Sequence, residues 1–175
     1  MNFHPFPVIE TERLILRKIT LEDWPLISYL RSDKTVNQFV KRPNADTQEK
    51  AVEFIERTLA SINEKELIYW SISLADDPKM IGSICIWNFS EDKKTGEVGY
   101  DLDPKFHKLG IMNEALQAVI KFGFSELSLD KIEAYTQENN ENSKNMLLRN
   151  NFIWNESKID EGNLMNIIFE LKKAL

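Results

Sequence analysis

The segment that decides the fold runs from Gly96 to Leu116 and has the sequence GEVGYDLDPKFHKLGIMNEAL. Its first part has the pattern of a strand, its middle is a polar loop with one glycine, Gly110, and a helix begins immediately afterwards. A strand, a glycine loop and a helix in succession point backbone N–H groups and the positive end of a helix dipole at one small volume. The segment therefore predicts a site for a phosphate or pyrophosphate group.

This segment lacks the two better-known phosphate motifs. No Lys-Ser or Lys-Thr follows the glycine, which excludes a P-loop, and Gly110 stands alone where the dinucleotide fingerprint needs three glycines. On this evidence alone, the turn can also serve only to connect a strand to a helix.

Upstream of the segment, periodicity and turn signals predict strands and helices. A capping box at Asp46 and Glu49 is expected to open the second helix. The predicted elements are a strand over 13–17, a helix from the N-cap Thr20 to Leu30, a helix over 51–62, and strands over 67–74, 80–89 and 96–102. Because the last three strands are joined by short turns, they form an antiparallel meander.

Downstream of the segment, the pattern changes to alternating helices and strands. The predicted elements are a helix from Ile111 to about Leu127, a strand over 131–136, a helix over 143–149, and strands over 152–154 and 165–171. The resulting order is β-α-α-β-β-β-α-β-α-β-β. It predicts an α/β (α+β) fold, with a mixed, mostly antiparallel sheet of about seven strands flanked by helices.

Length and composition limit the class of protein. The 175 residues fit one domain over 1–175, and 42% hydrophobic with 29% charged residues is typical of a globular chain. A net charge of −6 argues against nucleic acid as a partner, since phosphate binding leaves a basic footprint. One cysteine, Cys85, and two histidines, His4 and His107, are too few for a disulfide or a zinc site. With neither a secretion signal nor a membrane span in the sequence, we expect a cytoplasmic protein with no membrane partner.

Three motifs in chain order resemble the GNAT superfamily of N-acetyltransferases, in its Rim-type branch that acetylates ribosomal proteins. His107-Lys108-Leu109-Gly110-Ile111-Met112 resembles the coenzyme A signature Gln/Arg-x-x-Gly-x-Gly/Ala, with His107 and Met112 as departures, and Glu-Ala-Leu follows as in that branch. Glu12 to Arg17 resembles the opening strand of the branch. Asn140 to Phe152 resembles its Asn-x-x-Ser…Leu…Gly-Phe segment, with Asn151 in place of the glycine.

The resemblance implies a GNAT fold and acetyl-CoA as cosubstrate, with no metal. It implies backbone pairing of the pantetheine arm with the strand end at Asp101 and Leu102, and a hydrogen bond to that arm from Asn140. The remaining residues implied in coenzyme A binding form the loop His107, Lys108, Leu109, Gly110, Ile111, Met112 and Asn113.

Two residues are candidates for the chemistry. Several GNAT enzymes place a general base at a position matching Glu97, and the Rim-type serine matching Ser143 is thought to protonate the departing thiolate. Each has a plainer interpretation: Glu97 as an exposed strand charge, and Asn140 and Ser143 as the cap and first turn of a helix. Tyr100 falls on the opposite strand face from Glu97, so the two are not expected to act together, and Cys85 is expected in the core.

The acceptor remains open at this point. An N-terminal α-amine has a pKa near 8, against about 10.4 for a lysine side chain. A larger fraction of it is neutral at pH 7, so a weaker general base is enough to deprotonate it. We therefore expect a protein N-terminus, such as that of a ribosomal protein, as the acceptor. The alternatives are a small amine (a polyamine, amino sugar or aminoglycoside) and a non-catalytic acyl-CoA-binding module. A homodimer is left open.

Overall fold

The structure, a computed structural model, describes residues 3–174. Its strands are β1 (Ile9–Glu10), β2 (Leu14–Lys18), β3 (Ile68–Leu74), β4 (Asp77–Trp87), β5 (Thr95–Leu102), β6 (Lys131–Gln137), β7 (Ile153–Trp154) and β8 (Asn166–Lys172). Its helices are α1 (Trp24–Ser32), α2 (Gln48–Asn63), α3 (Ile111–Ser125) and α4 (Glu141–Arg149). The predicted order of elements is confirmed, with the two-residue β1 as an addition.

The eight strands form one sheet in the order β1-β2-β3-β4-β5-β6-β8-β7. All neighbouring pairs are antiparallel except β5 and β6, which are parallel. The predicted mixed, mostly antiparallel sheet is therefore confirmed, and β1 brings the strand number to eight.

Helices cover both faces of this sheet. On one face, α3 packs against β3 through Phe122 and Trp70, whose ring centroids are 5.3 Å apart. On the other face, α2 packs through Phe54 against Tyr69, at 6.0 Å between centroids. Since Tyr69 and Trp70 are consecutive strand residues, their side chains point to opposite sides and fix the two helical layers.

Several local boundaries differ from the sequence prediction. Thr20 caps a 3-10 turn over Leu21–Asp23, and α1 itself begins at Trp24 with Asp23 as its N-cap. The N-cap of α2 is Thr47, which accepts from the Lys50 backbone N–H at 3.3 Å, while Asp46 forms an ion pair with the Lys50 side chain at 2.6 Å. The predicted capping box at Asp46 is therefore wrong by one residue. Part of the predicted turn before β4 belongs to that strand, because the register of β3 and β4 shifts near Ser73 and carries the pairing on to Asp77.

The parallel pair opens the sheet at the position that matters for the site. Pairing of β5 with β6 covers only Thr95 to Glu97 against Lys131 to Glu133. Beyond Glu97, β5 pairs with β4 on one side, and its other edge has no strand partner within residues 3–174. The two strands diverge there and leave a gap that leads into the sheet.

No helix within residues 3–174 is both long enough and apolar enough to cross a bilayer.

Candidate active site

The loop before α3 presents a series of free backbone donors. None of the N–H groups from Lys108 to Asn113 donates to an acceptor within residues 3–174, and the first N–H used by the helix is that of Glu114, bonded to the Gly110 carbonyl at 3.0 Å. Free N–H groups at the start of a 15-residue helix form a binding site for phosphate oxygens. The predicted loop therefore has the geometry that a pyrophosphate needs.

A glycine is required at the start of this helix. Gly110 is the N-cap of α3 and has φ of 76°, in the left-handed region that glycine adopts with the least strain. A Cβ built at this position would lie 3.4 Å from the Arg13 guanidinium. The backbone thus turns at Gly110 so that the donors of the loop and of the first helical turn face one volume.

The loop is held in place by a clamp made of Arg13 and Glu114. Arg13 Nη1 donates to the Leu109 carbonyl at 2.9 Å, and Arg13 Nε donates to Glu114 Oε2 at 2.7 Å. Glu114 Oε1 accepts from the Arg13 backbone N–H at 3.0 Å and from the Thr11 hydroxyl at 2.5 Å. The opening-strand motif and the Glu-Ala-Leu motif, about 100 residues apart, therefore meet around the loop.

The two departures from the coenzyme A signature have structural explanations. Met112 and Ile111 are buried and belong to the hydrophobic core, so the methionine side chain leaves the outer face of the helix start free. His107 is exposed, and its Nε2 donates to the Leu102 carbonyl at 3.0 Å. His107, which is part of the loop, thus also connects the loop to the end of β5.

The end of β5 carries the predicted pantetheine-pairing residues. Asp101 and Leu102 pair with β4 through Ser83 and Gly82, so the opposite edge faces the gap toward β6. An unpaired strand edge can accept an extended chain as an added strand. The Asp101 carboxylate also receives Arg42 Nη1 at 2.5 Å, a contact that the sequence did not indicate.

Ser143 lies in the first turn of α4, where two contacts hold it. The Asn140 side chain caps the helix by accepting from the Ser143 N–H at 3.2 Å, as predicted. The Ser143 hydroxyl oxygen is 2.8 Å from the Tyr100 hydroxyl oxygen. Burial raises the pKa of Tyr100 to about 12, so the phenol keeps its proton at neutral pH and can donate it to Ser143. Tyr100, which was not expected to act together with Glu97, therefore touches a candidate site residue and lines the same cleft as Glu97.

Glu97 lies on β5, just before the gap. Burial, reinforced by the nearby carboxylates of Asp160 and Glu133, raises the pKa of Glu97 to about 7. Asn88 Nδ2 donates to Glu97 Oε2 at 3.1 Å, which orients the carboxyl group and lowers its pKa in part. A carboxyl group with a pKa near neutrality can both accept and release a proton under working conditions.

These groups line one cleft of about 560 Å³. Its wall includes Glu97, Tyr100, Asp101, Asn140 and Ser143. The structure thus brings together both predicted catalytic residues and three further groups in one cleft, while the donor loop from 108 to 113 lies outside its wall. A base with a pKa near 7 and a hydroxyl that can donate a proton are two of the groups that assist acyl transfer to an amine.

The sequence predicted that Cys85 lies in the core. In the structure it is only partly buried and also lines this cleft. Burial raises the pKa of its thiol to about 12, which keeps it protonated and unreactive at neutral pH. Within residues 3–174, no group of three or more His, Cys, Asp or Glu side chains is arranged to hold a metal ion.

The sequence missed three of these contacts: the Arg13–Glu114 clamp, the Tyr100–Ser143 hydrogen bond and the Arg42–Asp101 ion pair. Arg13 and Glu114 both lie in motifs that were singled out, and their opposite charges were the available signal. The other two contacts join residues 43 and 59 positions apart outside any shared motif, so no signal in the sequence indicated them.

Comparisons with known proteins identify the family and the fold. A sequence model of the acetyltransferase (GNAT) domain matches residues 13–153. The N-acetyltransferase YoaA of Bacillus subtilis (strain 168) is 33% identical over 147 residues, which cover 84% of this chain and 83% of YoaA. Among solved structures, the ribosomal L7/L12 α-N-protein acetyltransferase RimL in complex with coenzyme A superposes with a TM-score of 0.81 at 18% identity, covering 95% of this chain and 98% of RimL. The microcin C7 self-immunity acetyltransferase MccE, in complex with acetyl-CoA and AMP, gives a TM-score of 0.79 at 18% identity over 93% and 94% of the two chains.

Proposed function

Because the chain belongs to the GNAT family of acetyltransferases, it is an acetyl-CoA-dependent N-acetyltransferase, and we propose that its acceptor is the α-amino group at a protein N-terminus. Among such acceptors we favour a ribosomal protein, which would place the reaction in the cytoplasm. Support comes from the motifs shared with the Rim-type branch and from the similarity to RimL, whose name states that it acts on the α-amine of L7/L12.

The observation that carries the choice of acceptor is the pKa of Glu97, about 7, in the same cleft as Ser143. Transfer of a proton from an α-ammonium group with a pKa near 8 to this carboxylate is uphill by about one unit, or about 1.4 kcal/mol. From a lysine side chain with a pKa near 10.4 the difference is over three units, or about 4.6 kcal/mol. The difference of about 2.4 units between the two amines favours the α-amine for any base, and a pKa near 7 brings that transfer close to balance.

The fit of acetyl-CoA follows from the free polar groups of the chain. The N–H donors of residues 108–113 are suited to the pyrophosphate, the open edge of Asp101 and Leu102 to the amides of the pantetheine arm, and the Asn140 side chain to the same arm. Acetyl-CoA supplies the acetyl group as a thioester, a form already activated for attack by an amine.

In the proposed reaction, Glu97 and Ser143 move protons in opposite directions. Glu97 takes the first proton from the ammonium group, directly or through one water molecule, so that the nitrogen attacks as a neutral group. As the C–N bond forms and the C–S bond breaks, the nitrogen loses its second proton; Ser143 donates its hydroxyl proton to the departing sulfur and is reprotonated by the proton from the nitrogen, while the Tyr100 hydroxyl donates a hydrogen bond to Ser143.

A release assay for the free thiol of coenzyme A tests this proposal. The acceptors are a short peptide with a free N-terminus and no lysine, the same peptide with a blocked N-terminus and one lysine, and a polyamine such as spermidine. We expect the free N-terminus to give the highest kcat/KM, by about a hundredfold over the lysine peptide, as the difference of over two pKa units suggests. A preference for the polyamine would contradict the proposal and favour a small-amine acceptor.

A further inference from the structure

The guanidinium of Arg31, in the last turn of α1, lacks an ionic partner. Within residues 3–174 it forms no ion pair, and its one hydrogen bond is a long contact of 3.4 Å from Nη2 to the Pro43 carbonyl. It stacks over the Phe54 ring with its central carbon 4.1 Å from the centroid. A guanidinium has five N–H donors, so most of those of Arg31 remain unused by the protein.

Arg42, which lies on the same side of the cleft, shows the opposite situation. Its Nη1 meets the Asp101 carboxylate at 2.5 Å, its Nε meets Asn37 Oδ1 at 2.7 Å, and its Nη2 meets the Leu30 carbonyl at 2.8 Å. Its charge and donors are therefore satisfied within the chain. The Asp101 carboxylate therefore forms its direct ion pair with Arg42 and acts on Arg31 only from a distance.

The surroundings of Arg31 make an unpaired charge there unfavourable. Burial lowers the pKa of Arg31, the positive charges of Arg42 and Arg57 add to this effect, and Tyr69 and Asp101 offset it only in part. Lys50 is close by, but Asp46 neutralises it at 2.6 Å. An anion beside Arg31 would offset the burial and the repulsion together.

The space for such an anion exists and joins the active-site cleft. Arg31, Phe54 and Pro43 line both the 560 Å³ cleft and an adjoining cavity of about 270 Å³, whose other basic walls are Arg57 and Lys50. Glu53 is the one acidic residue in the wall of that cavity. A single ligand can therefore lie with one end against Glu97 and Ser143 and with another part against Arg31.

We propose that the cavity beside Arg31 is a subsite for a carboxylate of the acceptor, supplied by an aspartate or glutamate side chain close behind its N-terminus. This proposal rests on the proposed function, which supplies the peptide acceptor. It adds a preference for acceptors with an acidic residue near the N-terminus. The planar fork of the guanidinium suits a carboxylate in a bidentate arrangement, and the Phe54 ring keeps the fork in place. Arg57 adds a second positive charge to the same cavity.

Matched peptide pairs test the subsite in the thiol-release assay. Each pair has aspartate or asparagine at one of positions 2 to 5 behind a free N-terminal alanine, and the quantity measured is the ratio of kcat/KM between the two peptides. We expect the aspartate peptide to be favoured about tenfold or more at one position, the usual worth of a charge-assisted hydrogen bond. Arg31→Gln should bring this ratio close to one.

Lys34→Gln provides the matched control. Lys34 is exposed, carries the same charge three residues away, and lines neither cavity, so its replacement should leave the ratio at the wild-type value. Thermal unfolding of both variants checks that they fold. A wild-type ratio close to one at all four positions, or a ratio that Arg31→Gln leaves intact, would overturn the subsite.

The failure of the subsite and that of the proposed function give different results. If no peptide is acetylated, the protein N-terminus is wrong as the acceptor class, and the same ratio is measured on 4-aminobutyrate against butylamine. A preference for 4-aminobutyrate that depends on Arg31 would then support the subsite without the peptide, and equal rates would overturn it. If peptides are acetylated with no regard to charge, the proposed function stands and the subsite fails.

Discussion

Replacement of Glu97 by glutamine should stabilise the folded chain above neutral pH while it slows acetyl transfer. The carboxyl group has an ordinary pKa of 4.5 and a pKa of about 7 in the fold, mainly because it is buried. Its ionised form is thus less favourable in the folded state than in the unfolded one. Glutamine has a similar shape, carries no charge, and can still accept the hydrogen bond from Asn88.

The size and the pH range of this effect follow from the two pKa values. A raised carboxyl pKa costs nothing below about pH 4.5, where the group is protonated in both states; the cost grows as the pH rises and is complete above about pH 7. A difference of about 2.5 units corresponds to at most about 3.4 kcal/mol, and we take about 2 kcal/mol because water reaches the side chain in the cleft. For a chain of this size, that gain corresponds to a rise in Tm of about 6 °C at pH 8.

Thermal unfolding followed by circular dichroism at pH 5 and pH 8 measures this gain. Glu56→Gln, an exposed change on α2, is the control and should give the same small shift in Tm at both pH values. The kcat/KM of the wild-type enzyme should rise as the pH increases through about 7. Glu97→Gln should lose this pH-dependent rise. Its activity should recover in part at high pH, where the amine is already neutral. A change in Tm that is equal at both pH values would refute the argument that Glu97 is a buried base.

Three further predictions concern the rest of the site. Ser143→Ala should lower kcat by about a hundredfold with little change in KM for acetyl-CoA, and Tyr100→Phe by about tenfold, as expected for loss of a proton donor and of one hydrogen bond to it; a change in KM alone would make Ser143 a binding or capping residue. Gly110→Asp should abolish acetyl-CoA binding in calorimetry, because it places a side chain at a φ of 76° and a negative charge beside the free N–H donors; unaltered affinity would exclude this loop from the binding site. Arg13→Met and Glu114→Gln should each raise KM for acetyl-CoA several-fold, and the double variant should be no worse than the more severe single one, because both remove the same clamp; additive losses would show that the two residues act separately.

The parts of the fold that follow local rules could be predicted from the sequence. The start of α3 at Ile111 followed from Gly110, and the cap of α4 followed from Asn140, since helix starts are set by one or two residues. The two-residue β1 was missed because a strand of this length has no periodicity. The shift in β4 toward Asp77 was missed because it arises from an irregularity in a neighbouring strand.

In the candidate site, too, the residues that belong to motifs could be predicted, and their contacts could not. Glu97, Ser143 and the loop around Gly110 carry motif positions, whereas the partners of these residues depend on tertiary contacts. Alternation along β5 placed Tyr100 on the opposite strand face from Glu97, but it describes only the direction of the side chain and not the position of its hydroxyl group, which reaches Ser143. The pKa of Glu97 likewise depends on burial by residues from other parts of the chain.

The three-residue seam between β5 and β6 divides the sheet into two blocks. One block contains β1 to β5, and the other contains β6, β8 and β7. Besides the seam, α3 joins the blocks through Gly123, which lies between Ile86 of the first and Ile132 of the second, and the Tyr100–Ser143 hydrogen bond joins α4 to β5. The second block, with α4, can therefore behave as a separate cooperative unit that opens before the whole chain unfolds. An extended pantetheine arm bound in the gap would contact both blocks and hold them together. Amide hydrogen exchange in β6 and β8 should therefore slow as the acetyl-CoA concentration rises. The enzyme without its cosubstrate is the form that opens locally most often.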